Sequence, residues 1–162
     1  MSDSNNNHLQ PRINLAAPAL APVMKAMFAL EAPLAHSTLE PALRELVKAR
    51  ASQINGCAYC IDMHTKDARA EGEAEQRIYA LNAWRETPFF TDRERAALAW
   101  TEAVTRIGDG VPDPVFSEAG RHFSEKELVD LTWAVVAING WNRVAISFRA
   151  VPGSYQPARP AH

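Results

Sequence analysis

The sequence predicts an all-α fold, a compact bundle of about six to seven helices. Three observations carry that expectation. Apolar residues recur at helical spacing through most of the chain, helix start and stop signals bracket those stretches, and sustained apolar–polar alternation is absent. Asn55-Gly56 could mimic a hairpin turn, but both of its flanks have helical spacing.

The elements follow in order. A first helix is expected from Pro18 or Pro22 to Glu31, carrying Val23, Met27, Phe28 and Leu30. A second starts near Pro41, a residue suited to a first helical turn, and stops at Asn55-Gly56. Its apolar positions are Leu43, Leu46, Val47, Ala51 and Ile54. A third begins at or next to Cys57 and runs to about Glu71, with Gly72 as its stop. A fourth carries Ile78, Leu81 and Trp84 and ends before Pro88. Thr91-Asp92-Arg93-Glu94 reads as a capping box that opens a fifth helix to Ile107, and Gly108 and Gly110 end it. Asp113-Pro114 starts a short helix. Ser124-Glu125-Lys126-Glu127 is a second capping box, before a long helix through Leu128, Leu131, Val135 and Ile138.

With 162 residues the chain is the size of one domain, expected over 14–151. Residues 1–13 contain an asparagine run that cannot bury apolar surface and are expected to be disordered or extended. The Pro-rich tail 152–162 is expected to be extended. The apolar fraction of 47% and charged fraction of 22% are ordinary for a globular protein. A net charge of −2 offers no electrostatic reason for a nucleic acid or membrane partner. The polar start has no signal-like apolar stretch, and the run Trp133 to Ile138 is too short to span a bilayer, so a cytoplasmic location is expected.

The chain has 2 cysteines, and they lie three residues apart. A close pair in a reducing compartment points to redox or metal chemistry. On a helix at about 100° per residue, Cys57, Cys60, Ile61, His64 and Ala68 share one stripe, while Asp62, Lys66 and Arg69 point elsewhere. Cys60 and His64 are four apart, hence neighbours on the helix surface. A helix start favours a thiolate, and a nearby imidazole can take the thiol proton. Structural zinc needs a second pair of ligands, and His36 or His122 would supply one only through tertiary proximity. No metal is therefore expected. The absence of a phosphate-cradling glycine loop or dinucleotide fingerprint gives the same expectation for cofactors.

Glu45, Cys57, Cys60 and His64 fit the pattern E-x(11)-C-x(2)-C-x(3)-H, within ELVKARASQINGCAYCIDMHTKDARAEGE. This resembles the AhpD-like alkylhydroperoxidases of the carboxymuconolactone decarboxylase superfamily, and the similarity extends over about residues 35–149. The resemblance implies an all-helical fold, a homo-trimer or homo-hexamer, and reduction of hydroperoxides. It implies that Cys60 becomes the sulfenic acid, that Cys57 supplies a proton and closes the disulfide, and that Glu45 and His64 form a proton relay. It further implies re-reduction by an external dithiol of the dihydrolipoyl type. The helix dipole by itself favours Cys57, nearer the N-terminus, as the more acidic thiol.

Two features stand against a simple transfer of that scheme. The helical wheel puts Glu45 opposite Leu43, Leu46 and Val47, beside Lys48 and Ser52, so the pattern alone reads it as a solvated carboxylate paired with Lys48. An inward Glu45 requires another element or subunit to cover that face. The resembled peroxidase also has a histidine where this chain has Tyr59, a poor base near neutral pH. The alternative function is a non-catalytic redox sensor or oligomeric binding protein that keeps the dithiol. A decarboxylase of the wider superfamily fits less well, because such members generally lack the cysteine pair. Trp84, Trp100, Trp133 and Trp141 are expected in the core or an interface. Asn139 and Asn142 need buried partners, and Asn142-Arg143 reads as a structural feature.

Overall fold

The computed structural model describes residues 10–157; the expectations for residues 1–9 and 158–162 lie outside them. Seven α-helices form the fold, with no strand among the described residues: α1 Ala21–Glu31, α2 Pro41–Asn55, α3 Ala58–Ala70, α4 Glu75–Ala80, α5 Asp92–Arg106, α6 Asp113–His122 and α7 Glu125–Phe148. Short 3-10 turns flank α1 at Pro18–Leu20 and Ala32–His36. None of the described helices is long and apolar enough to cross a membrane.

Both capping boxes form. Thr91 accepts from the Glu94 N–H, Ser124 accepts from the Glu127 N–H, and each glutamate reaches back to its cap residue. Each box satisfies two otherwise orphaned backbone donors, worth about 1 kcal/mol. The expected fourth helix is broken. α4 ends at Ala80, a 3-10 segment covers Leu81–Glu86, and Ala83 leaves helical geometry at φ −117°. The tighter turn brings Asn82 and Trp84 onto one buried ion pair. Arg50 Nε donates to Glu102 at 2.9 Å, Trp84 Nε1 donates to the same carboxylate at 2.9 Å, and Asn82 accepts from Arg50 at 2.6 Å. The C-terminal helix α7 continues well past Ile138, to Phe148.

The central helix is α2, which packs against α3, α5 and α7. Leu43 and Val47 join Trp100, Phe123, Leu131 and Val135 in the main core, while Leu46 joins Leu81, Trp84 and Leu98. Each such side chain contributes about 1.5–3 kcal/mol on burial. The polar Arg50 and Ser52 are also buried, so α2 is covered around most of its circumference. Of the four tryptophans, Trp84 and Trp100 lie in the core. Trp133 is 39% exposed. Trp141 is half-buried against Phe28, with ring centroids 5.3 Å apart.

Helix α2 closes with a left-handed Gly56 at φ 70°. The Gly56 N–H donates to Gln53 O and the Cys57 N–H to Ser52 O, the two bonds of a Schellman ending. Helix α7 ends the same way, except that the left-handed position is Arg149 at φ 55°. There the Ala150 N–H donates to Ala145 O at 2.9 Å. A side chain in this conformation costs about 1 kcal/mol that glycine avoids. Beyond it the chain runs back along α3. Gly153 N donates to Asp62 at 3.0 Å, Lys66 Nζ to Tyr155 O at 3.1 Å, and the Tyr155 hydroxyl to Asp67 at 2.7 Å.

Two glycine substitutions separate backbone strain from crowding. A Cβ at Gly56 meets nothing within 4 Å, so Gly56→Ala suffers only its positive φ. The expected loss is about 1 kcal/mol, a fall in Tm of about 3 °C by thermal melting. Gly120 within α6 has equal room and ordinary helical φ, so Gly120→Ala raises Tm by a similar amount.

Candidate active site

Only Gly56 and Cys57 lie between α2 and α3, so Cys57 both makes the last closing hydrogen bond of α2 and is the N-cap of α3. Cys60 sits in the first turn of α3, and His64 follows one turn later. Of the helical stripe, Cys57, Cys60, His64 and Ala68 are buried and Ile61 is half-buried, and both cysteines are free thiols. From α7, Ile138 and Ala145 pack on the pair. The buried Asn142 lies between them at helical spacing.

Glu45 meets the site within the same chain. Its Oε2 lies 2.8 Å from His64 Nδ1. The pairing with Lys48 expected from the wheel is not made; Lys48 pairs instead with Glu31 at 3.0 Å. The physical reason is the burial of α2: α3 covers the face that the wheel leaves to solvent. With Glu45 ionised, the hydrogen bond puts the imidazole proton on Nδ1 and leaves Nε2 as the proton-accepting atom. Asp67 joins this group from the next turn of α3. Glu45, His64 and Asp67 each present one possible ligand atom, all within 4.8 Å of one another. Of the described residues these three come nearest to a metal-binding set, and neither cysteine belongs to it.

Asn142, read from the sequence as structural, reaches the thiols. Its orientation follows from its partners. The Ser52 hydroxyl donates to Lys48 O at 2.8 Å, so its oxygen accepts from Asn142 Nδ2 at 3.1 Å. Asn142 Oδ1 then accepts from Asn55 Nδ2 at 2.8 Å, and Asn55 donates to Asn139 at 2.9 Å. The second Asn142 N–H remains for the sulfurs, and hydrogen bonding to Asn142 lowers the pKa of both. The sequence signal was an amide inside a long apolar helix, which demands a partner.

The two thiols are not equivalent. Interaction with the Cys60 thiol, together with the N–H groups of Cys60 and Tyr59 and the Asn142 amide, brings Cys57 down from 9.0 to about 7 against the opposing effect of burial. The same thiol–thiol interaction, burial and the charge on Cys57 push Cys60 up. The pair thus loses one proton near neutrality and holds the second tightly. The direction of the shifts favours the charge on Cys57, at the N-cap of α3. Cys57 also borders a cavity of about 270 Å³ between the α2–α3 turn and the end of α7, and Tyr59 forms part of its wall.

In the reduced protein, alkylation of Cys57 by iodoacetamide rises with pH through a midpoint of about 7. Asn142→Asp keeps the shape but replaces the donor with a negative charge. The expected result is a midpoint shifted upward, read from the pH profile of alkylation, with circular dichroism confirming the fold.

Comparison with known proteins agrees with this architecture. The family model for the carboxymuconolactone decarboxylase family matches residues 21–103. The uncharacterized Bacillus subtilis protein YdfG is 46% identical over 125 residues, spanning 76% of this chain and 85% of YdfG. An Agrobacterium tumefaciens protein of unknown function, assigned in name to antioxidant defence as AhpD, superposes with a TM-score of 0.83 at 45% identity, covering 92% of this chain and 99% of that one. The debrominase Bmp8 shares the fold with a TM-score of 0.72 at 19% identity, covering 93% of this chain and 95% of Bmp8. With its seven-helix fold, its Glu-Cys-Cys-His motif and these matches, the chain belongs to the AhpD-like branch of the carboxymuconolactone decarboxylase family.

Proposed function

We propose that the chain is a thiol-dependent peroxidase that reduces alkyl hydroperoxides. The observation that carries this reading is the Glu45–His64 hydrogen bond at 2.8 Å, beside two free, buried thiols of which one ionises near neutrality. A thiolate of the pair attacks the outer peroxide oxygen, the O–O bond breaks, and the sulfur becomes a sulfenic acid. His64 Nε2 takes the thiol proton as the thiolate forms and returns it to the departing alkoxide, which leaves as the alcohol, and Glu45 holds the ring in the tautomer whose Nε2 can accept that proton. The second thiol displaces hydroxide from the sulfenic sulfur, forming the disulfide and releasing water. An external dithiol then returns two electrons by exchange, opening the disulfide and departing as its own disulfide. The family relationship supports an enzyme of this kind, and the AhpD assignment in the name of the Agrobacterium tumefaciens protein favours the peroxide chemistry.

The test is turnover of cumene hydroperoxide with a dithiol reductant. Cys57→Ser and Cys60→Ser are expected to abolish turnover, and His64→Ala to cost about a hundredfold in kcat. Glu45→Gln, which keeps the hydrogen bond but not the charge, is expected to cost roughly tenfold. A Cys60→Ser enzyme with wild-type turnover overturns the dithiol mechanism.

A further inference from the structure

Two carboxylates surround one imidazole. Glu45 Oε2 lies 2.8 Å from His64 Nδ1, and an Asp67 oxygen lies within 4.8 Å of both groups. Among the described residues neither carboxylate forms an ion pair with a lysine or arginine. Lys48, whose charge reaches Asp67, is paired with Glu31 at 3.0 Å. Burial and the charge on Glu45 push the Asp67 carboxyl up, against the Tyr155 hydrogen bond and the charges of His64 and Lys48. The Tyr155 hydroxyl donates to Asp67 at 2.7 Å and comes from the strap that follows α7. That strap is already tied to α3 by backbone groups: Gly153 N donates to Asp62, and Tyr155 O accepts from Lys66. The hydroxyl is thus not the strap's only anchor, and it is directed at the carboxylate beside His64. Burial and Asp67 push Tyr155 up to about 12, so it stays a donor across the neutral range.

We propose that Asp67 is a positioning residue of the proton relay, a second carboxylate that stabilises His64 when it takes the thiol proton, and that Tyr155 on the strap positions Asp67. The inference deepens the peroxidase reading and rests on it for the step that is served. With a neutral ring and both carboxylates ionised, the cluster carries two negative charges. The thiol proton cancels one of them, so each carboxylate favours the transfer to His64. Glu45 acts through its hydrogen bond to Nδ1, and Asp67 acts through its charge. The charged and titratable groups that face Asp67 are Glu45 and Lys48 from α2, His64 from α3 and Tyr155 from the strap. Tyr155 is the one that both fixes the carboxylate in place and keeps it ionised. The strap therefore does more than cover α3. Its Ala150, Val151 and Pro152 border the cavity at Cys57, and three residues further on it reaches the relay.

The first test needs no turnover. By carbon NMR on the reduced protein, the titration midpoint of the Asp67 carboxyl is expected to fall by about half a pH unit in Glu45→Gln, which removes the neighbouring charge, and to rise in Tyr155→Phe, which removes the donor. A midpoint that neither change moves overturns the coupling. The second test reads turnover of cumene hydroperoxide. Asp67→Asn, which can still accept from Tyr155, is expected to lower kcat about fivefold and to move the acid limb of kcat/KM to lower pH, because a proton leaves more easily once a negative charge is gone. A slower enzyme whose acid limb stays in place makes Asp67 merely structural and overturns its role. Tyr155→Phe keeps both backbone ties of the strap and is expected to cost about twofold. The double variant should match Asp67→Asn, since Tyr155 acts through Asp67, and additive losses overturn that assignment. If the wild type turns over no hydroperoxide, the peroxidase reading fails, and the carboxyl titrations alone decide whether Glu45, Asp67 and Tyr155 are coupled.

Discussion

The site depends on a two-residue turn, Gly56-Cys57. Because Gly56 adopts a left-handed conformation, α2 can end with both of its closing hydrogen bonds and α3 can begin at once. Cys57 is thereby fixed at the mouth of a helix, where backbone N–H groups have no intrahelical partner. The same turn folds α3 back along α2, so that His64 on one helix meets Glu45 on the other. A longer connection would leave the two helices free to choose their register. Here the backbone leaves little choice, and the thiols, the imidazole and the carboxylate come together as one unit.

The electrostatics of that unit rest on oriented dipoles more than on charges. The groups that draw Cys57 down are a thiol, two backbone amides and one side-chain amide, none of which bears a full positive charge. Such donors act at short range in a buried setting and are little affected by salt. Two sulfurs that share one proton give a thiolate near neutrality without a cation buried beside it, which would be costly to desolvate. Asn142 is central to this because its amide is held from two sides, by Ser52 and Asn55, and so keeps its oxygen turned toward Asn55.

Most of the frame was legible in the sequence because it is governed by local chemistry. Pro41, Gly56, the boxes at Thr91 and Ser124, and the stripe from Cys57 to Ala68 are each decided within a few residues, and the structure follows them. The misreadings arise where distant groups take over. The break at Ala83 serves the Arg50–Glu102 pair, a contact invisible to a helical pattern. Glu45 looked solvated because a wheel assumes one buried face, and α2 is surrounded. Asn142 signalled that it needed partners but not which ones, since they come from α2 and the α2–α3 turn.

The Schellman turn at Gly56 also makes the site sensitive to length rather than to composition. Helices advance by about 100° per residue, so a single residue inserted between Gly56 and Cys57 would wind the thiol stripe a quarter of a turn or more away from α2 and α7. Both helices would survive such an insertion, with their apolar positions and caps intact, but the carboxylate and the imidazole would face different directions. Many side-chain changes around the pair are compatible with this architecture, whereas an insertion or deletion at that one point is not.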